Sequence, residues 1–188
     1  FEVTKQTVAA PYLHLWSGIL AITAGNTDQA LTSFIEGRAI SDTAETAHMA
    51  SQSMQWQAFA EALAGTNATN ALSTIEQSVQ LREKAGGPFY QCCNQIVYGT
   101  TLIQLGKLDQ GLETLSKTIE KTQDATLKYL QTGALLHRAY AFILKKSKKK
   151  ANDDILSACA LMAENGYDHF WGIPPSIWCK LIAFSKEQ

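Results

Sequence analysis

The residues able to do chemistry are few, and their spacing does not gather them. The histidines are His14, His48, His137 and His169, and no two stand four apart on one helix, so a helical metal pair is ruled out by spacing. The cysteines are Cys92, Cys93, Cys159 and Cys179. They contain no CxxC pair, and the adjacent Cys92 and Cys93 point to two faces of a helix, so they are expected to be buried thiols packed as small hydrophobes. A Cys92 or Cys93 nucleophile served by a distant histidine is the minor alternative. No GxSxG elbow, HExxH pair or GxxxxGK[ST] loop occurs, and Glu61, Glu76 and Glu83 are expected on polar surfaces. The expectation is a non-catalytic chain with no metal and no cofactor.

Two further clusters carry charge. His137-Arg138 is placed to meet an anionic ligand, although a polar helix edge is the plainer reading. Lys145-Lys146-Ser147-Lys148-Lys149-Lys150 reads as a solvated turn, with contact to nucleic acid or an acidic neighbour as the alternative. The turn that follows brings Asp153 and Asp154, expected to offset part of that lysine charge. Asn67-Ala68-Thr69 matches a glycosylation sequon and is taken as accidental.

The whole chain must supply what these residues do not. It has 188 residues, 46% hydrophobic and 18% charged, with a formal net charge of −1. That is enough apolar content for a core, and it lacks the basic excess on which general nucleic-acid affinity depends. No apolar run approaches the roughly 18 residues of a membrane span. The chain opens Phe1-Glu2-Val3 without an initiator Met, which suggests a piece of a longer protein. Prolines stand only at Pro11, Pro88, Pro174 and Pro175, and the long stretches between them are rich in helix formers.

Those stretches repeat. Gly18, Ala30, Phe34 and Gly37 form a pattern of small residues around one bulky residue. It returns at intervals of about 40 residues as Phe59, Ala71, Ile75 and Ser78, then Gly99, Gly111, Leu115 and Thr118, then Ala139, Ala151, Ile155 and Ala158. Small residues let two helices approach, and the bulky one fills the space behind them, which is the helix–turn–helix of a tetratricopeptide unit. Phe59 breaks the pattern, so its helix pair should stand further apart or Phe59 should tilt out of the pair. Gly25, Gly65 and Gly106 each follow a predicted helix and are placed for a left-handed C-terminal turn; the lysine-rich fourth turn has no glycine.

The expected architecture is all-α: a right-handed superhelical solenoid of four tetratricopeptide-like helix pairs plus a C-terminal capping helix. It forms a single domain over 1–188, with units near 8–39, 43–84, 88–122 and 124–165 and a cap at 174–186. The helices are expected near 8–24 and 27–39, 43–65 and 67–84, 88–106 and 108–122, 124–146 and 148–165. In the cap, Ile177, Trp178, Leu181, Ile182 and Ser185 form a stripe expected to lie over the fourth pair.

The long repeat period, and the closing run Gly166-Tyr167-Asp168-His169-Phe170-Trp171 followed by proline and an apolar helix, resemble the sensor regions of large bacterial ATP-dependent transcription activators of the maltose-activator type, the STAND class. That resemblance implies a cytoplasmic, non-catalytic sensor that takes a small-molecule inducer or a protein or peptide partner and packs against other domains of the same polypeptide. The ATPase and DNA-binding modules of such proteins lie elsewhere, so no direct contact with nucleic acid or membrane is implied. The alternative is a general protein-interaction scaffold unrelated to transcription.

In such a solenoid the first helix of each pair lines the inner face. The inward positions are read as Tyr12, Leu15 and Ile19; Ser53, Trp56 and Ala60; Cys93, Ile96 and Thr100; and Gly133, Leu136 and Tyr140. From these, Tyr12, Leu15, Trp56, Ile96, Thr100, Leu136 and Tyr140 are the candidate groove, with Trp56 as its aromatic anchor. The competing reading is ordinary inter-repeat core, or a register slipped by one residue.

Overall fold

The computed structural model describes residues 2–43, 46–65, 67–123 and 127–187. Among these residues there are nine helices and no strand: α1 (Glu2–Ala24), α2 (Thr27–Thr43), α3 (Ala47–Ala64), α4 (Ala68–Ala85), α5 (Pro88–Gln104), α6 (Leu108–Lys121), α7 (Lys128–Leu144), α8 (Lys148–Asn165) and α9 (Pro175–Lys186). The first eight pair in sequence, α1 with α2 through α7 with α8. The second helix of each pair meets the first of the next, and α1, α3, α5 and α7 touch in succession along one side. This is the expected solenoid, with the odd-numbered helices forming its inner face.

Several bounds differ from expectation. α1 starts at Glu2 and runs through Pro11; α2 continues past 39 to Thr43. The predicted starts at 43 and 124 adjoin residues 44–45 and 124–126, outside the described residues, and the following helices begin at Ala47 and Lys128.

Close helix approach rests on the small residues. A Cβ at Gly18 would stand 2.4 Å from the Phe34 ring, and one at Gly99 would stand 2.9 Å from Leu115. In the second unit the equivalent position is Ala58, fully buried, and not Phe59. The second unit carries one more residue between this position and Ala71 than the others do between theirs. The inner register read for that unit is therefore one residue late. Ser53 confirms the slip: it is buried beside Gly37 of α2, 3.3 Å from where a Cβ would be. Phe59 points out of its pair into the inner core, edge-on to Trp56 at 5.9 Å between ring centroids.

Gly25, Gly65 and Gly106 take the left-handed turn conformation, with φ of 84°, 67° and 77°. In the fourth turn Lys146 does the same at φ 58°, the one non-glycine residue with positive φ among those described. Asn67 caps α4 by accepting the Asn70 N–H at 3.0 Å, so the sequon asparagine has a local structural use.

Buried polar groups tie the units together. Asn94 Nδ2 donates to Gln55 Oε1 and to Ser78 Oγ, each at 2.8 Å, joining α5 to α3 and α4. Arg138 donates to both carboxylate oxygens of Asp154, at 2.8 and 2.7 Å, and to Ser116 Oγ at 3.0 Å, joining α7 to α8 and α6. Asp154 is therefore buried and committed to Arg138, not free to offset the lysine turn. Of those lysines, Lys145 pairs with Asp109 and Lys150 lies over the Phe142 ring. Glu61, expected on the surface, is also buried and accepts from Gln57 and Asn70; Glu76 and Glu83 are exposed.

α9 meets the fourth pair through α7, on the inner side. Its buried stripe is Ile177, Leu181 and Phe184, whereas Ile182 and Ser185 face solvent and Trp178 is half-buried. Lys180 lies over the Tyr140 ring of α7 at 5.8 Å, and Pro175 lies against Gly25 at the end of α1. The last helix thus reaches from the first pair to the fourth across the inner face.

Candidate functional site

The segment between α8 and α9 forms the centre of the inner face. α8 ends at Gly166 in a left-handed cap, and Tyr167–Pro174 has no helix. Gly172 N–H donates to Thr23 Oγ1 of α1 at 3.0 Å, and Trp171 stands edge-on to Trp16 of α1 at 5.0 Å. Phe170 stacks on Tyr129, next to the start of α7, at 4.8 Å. The Tyr129 hydroxyl donates to the His169 carbonyl and accepts from Trp171 N–H, both at 3.3 Å. Burial among these rings pushes the Tyr129 hydroxyl up to about 12, so it remains a protonated donor. Phe170 and Ile173 are buried, while Trp171 keeps 40% of its surface exposed.

Beneath this segment is an apolar cavity of about 80 Å³. Its walls come from α3 (Trp56, Phe59), α5 (Ile96, Thr100), α7 (Gly133, His137) and the segment itself (Phe170, Trp171, Ile173). Of the seven candidate groove residues, the structure brings Trp56, Ile96 and Thr100 to this cavity. Thr100 gives its hydroxyl proton to the Ile96 carbonyl at 2.8 Å. Leu15, Leu136 and Tyr140 are buried elsewhere in the inner core, and Tyr12 is 40% exposed on α1, away from the cavity. Phe59, His137, Phe170 and Ile173 line the cavity and were missing from the predicted set. Counting from Ala58 would have put Phe59 among the inward positions; Phe170 and Ile173 sit in an irregular segment with no periodic signal.

His137 is not the polar edge the sequence suggested. It is 6% exposed, edge-on to Phe59 at 6.5 Å between ring centroids, and its Nδ1 has no hydrogen-bond partner among the described residues. Burial lowers its pKa to about 4, so at neutral pH it is an uncharged imidazole, unsuited to pairing with an anion. Arg138 is held by Asp154.

A second buried cluster joins α3, α4 and α5. Arg82, 1% exposed, donates to His48 Nδ1 at 2.9 Å and to the His48 carbonyl at 2.7 Å, and its guanidinium lies 5.6 Å from the Tyr90 ring centroid. Burial first, and the Arg82 charge second, lower the His48 pKa. Because Arg82 donates to Nδ1, that nitrogen of His48 is the unprotonated acceptor of the ring.

The thiols divide against expectation. Cys92 is buried and Cys93 half-buried, but Cys159 and Cys179 are exposed. Burial pushes the Cys93 thiol up to about 12 and raises Cys92 as well, the opposite of what an activated nucleophile requires. No group of three or more potential metal ligands converges among the described residues. No helix among them is long and apolar enough to cross a membrane.

The arrangement defines a class: a tetratricopeptide-like helical repeat whose inner face is crossed by its own aromatic segment. Crystal structures of nearly identical TPR-like repeats assigned to a kinesin light chain of Podosopora anserina share the fold. One, a glutamine-to-methionine variant, matches with a TM-score of 0.58 and 15% identity over 77% of this chain and 70% of that one. Another matches with a TM-score of 0.55 and 16% identity over 77% and 71%. At that identity the likeness establishes the fold alone. No family model and no curated protein matches the chain.

Proposed function

We propose that the chain is a non-catalytic binding module whose inner face takes an extended, aromatic-bearing segment of a protein partner. The observation that carries this is the seating of residues 170–173. An irregular stretch gives Phe170 to Tyr129, Trp171 to Trp16 and its Gly172 amide to Thr23, spanning the first and fourth pairs as a bound peptide would. The inner helices thus present aromatic and apolar surface with a few polar anchors, and in this state the chain's own segment occupies it.

A sensor region of a bacterial transcription regulator is a finer form of the same reading. It is supported by the resemblance of the closing segment, Gly166 to Trp171, whose last two residues, Phe170 and Trp171, belong to the stretch seated on the inner face. In that form an inducer or partner acts by shifting the segment between seated and released states, and needs unequal affinity for the two. A general interaction scaffold requires only the surface.

The test is competition by the segment itself. A synthetic peptide of residues 167–175 and a scrambled control are titrated into the wild-type chain and into Phe170→Ala/Trp171→Ala, in which the resident segment holds less tightly. The expected result is saturable binding of the native-order peptide that is stronger in the double variant than in wild type. Equal binding of the scrambled peptide, or no binding to the double variant, would overturn the reading.

A further inference from the structure

The geometry points to the exposed face of α1 as the interface of a homodimer, in which α1 packs antiparallel against α1 of a second copy of this chain. This goes beyond the groove reading and does not rest on it. The inner helices α3, α5 and α7 each meet the second helix of the pair before them. In contrast, α1 carries an apolar stripe that stays exposed among the described residues.

The first observation is area. Leu13 and Leu20 are 69% and 65% exposed, and Tyr12, Trp16 and Trp171 beside them each keep about two-fifths of their surface in solvent. Such a face amounts to roughly 500 Å², large for a monomer that uses it for nothing. Two of them brought together bury about 1,000 Å², the lower bound for a specific interface. The second is charge. Between Lys5 and Asp28 the chain has no Asp, Glu, Lys or Arg, and its net charge is only −1. The face therefore does not repel its own copy, and it gives a charged partner nothing to recognise. It also lacks the flanking Lys or Arg that hold an amphipathic helix on a membrane surface.

The third observation, symmetry, selects the second copy as occupant. Ala9, Leu13, Leu20 and Ala24 are all exposed and share one stripe of the helix. They lie at equal distances on either side of the midpoint between Trp16 and Ser17, so the stripe reads small, large, large, small in both directions. A two-fold interface sets residue i on j and j on i. Antiparallel pairing about that midpoint sets Leu13 on Leu20 of the second copy and Ala9 on its Ala24, with Trp16 next to the axis. The alanines at both ends let the two helices close on the leucines.

The experiment is sedimentation velocity of the full chain from about 1 μM to 1 mM, with a dimer expected to form at tens of micromolar, as suits an interface of this small size. Leu13→Glu and Leu20→Lys, each at an exposed site that the fold tolerates, should each weaken it at least about tenfold by burying an unpaired charge. The double variant Leu13→Glu/Leu20→Lys should dimerise more tightly than either. Positions seven apart stand about 10 Å from each other along one helix, so that recovery reports pairing between copies. Leu156→Glu, at a leucine 60% exposed on α8, should leave the dimer intact. A chain monomeric throughout overturns the interface, and so does one that stays monomeric but floats with phosphatidylcholine vesicles, which gives the face to lipid. Loss of the dimer in Leu156→Glu moves the contact to α8 and overturns it too. A double variant no tighter than the single ones overturns the antiparallel register. None of these readouts depends on the peptide competition.

Discussion

Gly172 lies against the Trp56 indole so closely that a Cβ at position 172 would stand 2.2 Å from ring atom Cη2, and its backbone is left-handed at φ 71°. Both features exclude a side chain. Gly172→Ala must therefore strain the backbone, by about 1–2 kcal/mol for the left-handed conformation alone, and also push the indole or the segment aside. The segment is held by contacts at its own residues and is the part free to leave, so the expected outcome is its release with helix content kept. Faster amide exchange at Trp171 and Gly172 and a red-shifted tryptophan emission would show it. Wild-type exchange rates in the variant would mean that Trp56 moves instead.

Trp56 itself is better tested through this contact than as a lone anchor. It stacks on Phe34 at 6.5 Å between ring centroids as well as meeting Phe59, so it belongs both to the packing of α2 on α3 and to the cavity wall. Trp56→Ala is expected to cost about 3–5 kcal/mol, the range for a truncated core aromatic, in addition to loosening the segment. Urea unfolding measures the first effect and amide exchange at Gly172 the second.

The Arg138–Asp154 pair predicts a non-additive response. Arg138→Ala leaves a buried carboxylate beside α7 without its two donors, and breaking such a pair from one side costs about 3–5 kcal/mol. Replacing both, as Arg138→Met with Asp154→Leu, removes the unpaired charge and should cost less than Arg138→Ala. A double variant as unstable as Arg138→Ala would show that Ser116, the other partner of Arg138, contributes most of the bond's worth. Urea midpoints at constant slope would report the difference.

How far the fold was legible depended on which signals were local. The small residues at Gly18, Gly99 and Ala139 announced the helix pairs because each has an immediate steric consequence: Phe34 and Leu115 occupy the space a side chain would need at the two glycines. The second unit is misread by one residue because a constant twelve-residue spacing to Ala71 points to Phe59 instead of Ala58, and the extra residue before Ala71 falls where no periodicity marks it. That slip put Ser53 and Ala60 among the predicted inward positions and left Phe59 out. The path of the C-terminal segment was beyond any periodic argument. The bond from Gly172 to Thr23 joins residues 149 apart, through backbone with no repeating side-chain pattern. The burial of Asp154 and Glu61 was hidden for a related reason, since each is matched by a partner on another helix and an acidic residue alone reads as surface.

Lys146 occupies a position that the other three turns give to glycine. Its φ of 58° places a Cβ where the left-handed conformation penalises it, so Lys146→Gly removes strain. Glycine also loses more chain freedom on folding, which returns part of the gain. The expected net effect is stabilisation of up to about 1 kcal/mol. Thermal unfolding beside wild type measures it, and a lowered midpoint would show that the lysine side chain contributes more than its backbone costs.

Acid should unfold this protein through its buried imidazoles. His137 has a folded-state pKa of about 4 against the ordinary 6.5, with burial as the cause; His48 is lowered too, by burial and by Arg82. A histidine whose folded pKa is depressed binds its proton more readily in the unfolded chain. Above pH 6.5 both states are uncharged there and pH has no effect. As pH falls from 6.5 towards 4 the unfolded chain takes up the proton first and gains the advantage, and below 4 the loss is complete. For His137 alone the shift corresponds to roughly 3 kcal/mol. His48 adds to the slope in the same direction, through its burial first and the neighbouring Arg82 charge second. Urea midpoints measured at intervals between pH 7 and 4 should fall steadily, and His137→Phe, having no proton to take up, should fall less. Equal slopes for the two proteins would mean that His137 stays accessible to water and protonates in the folded chain.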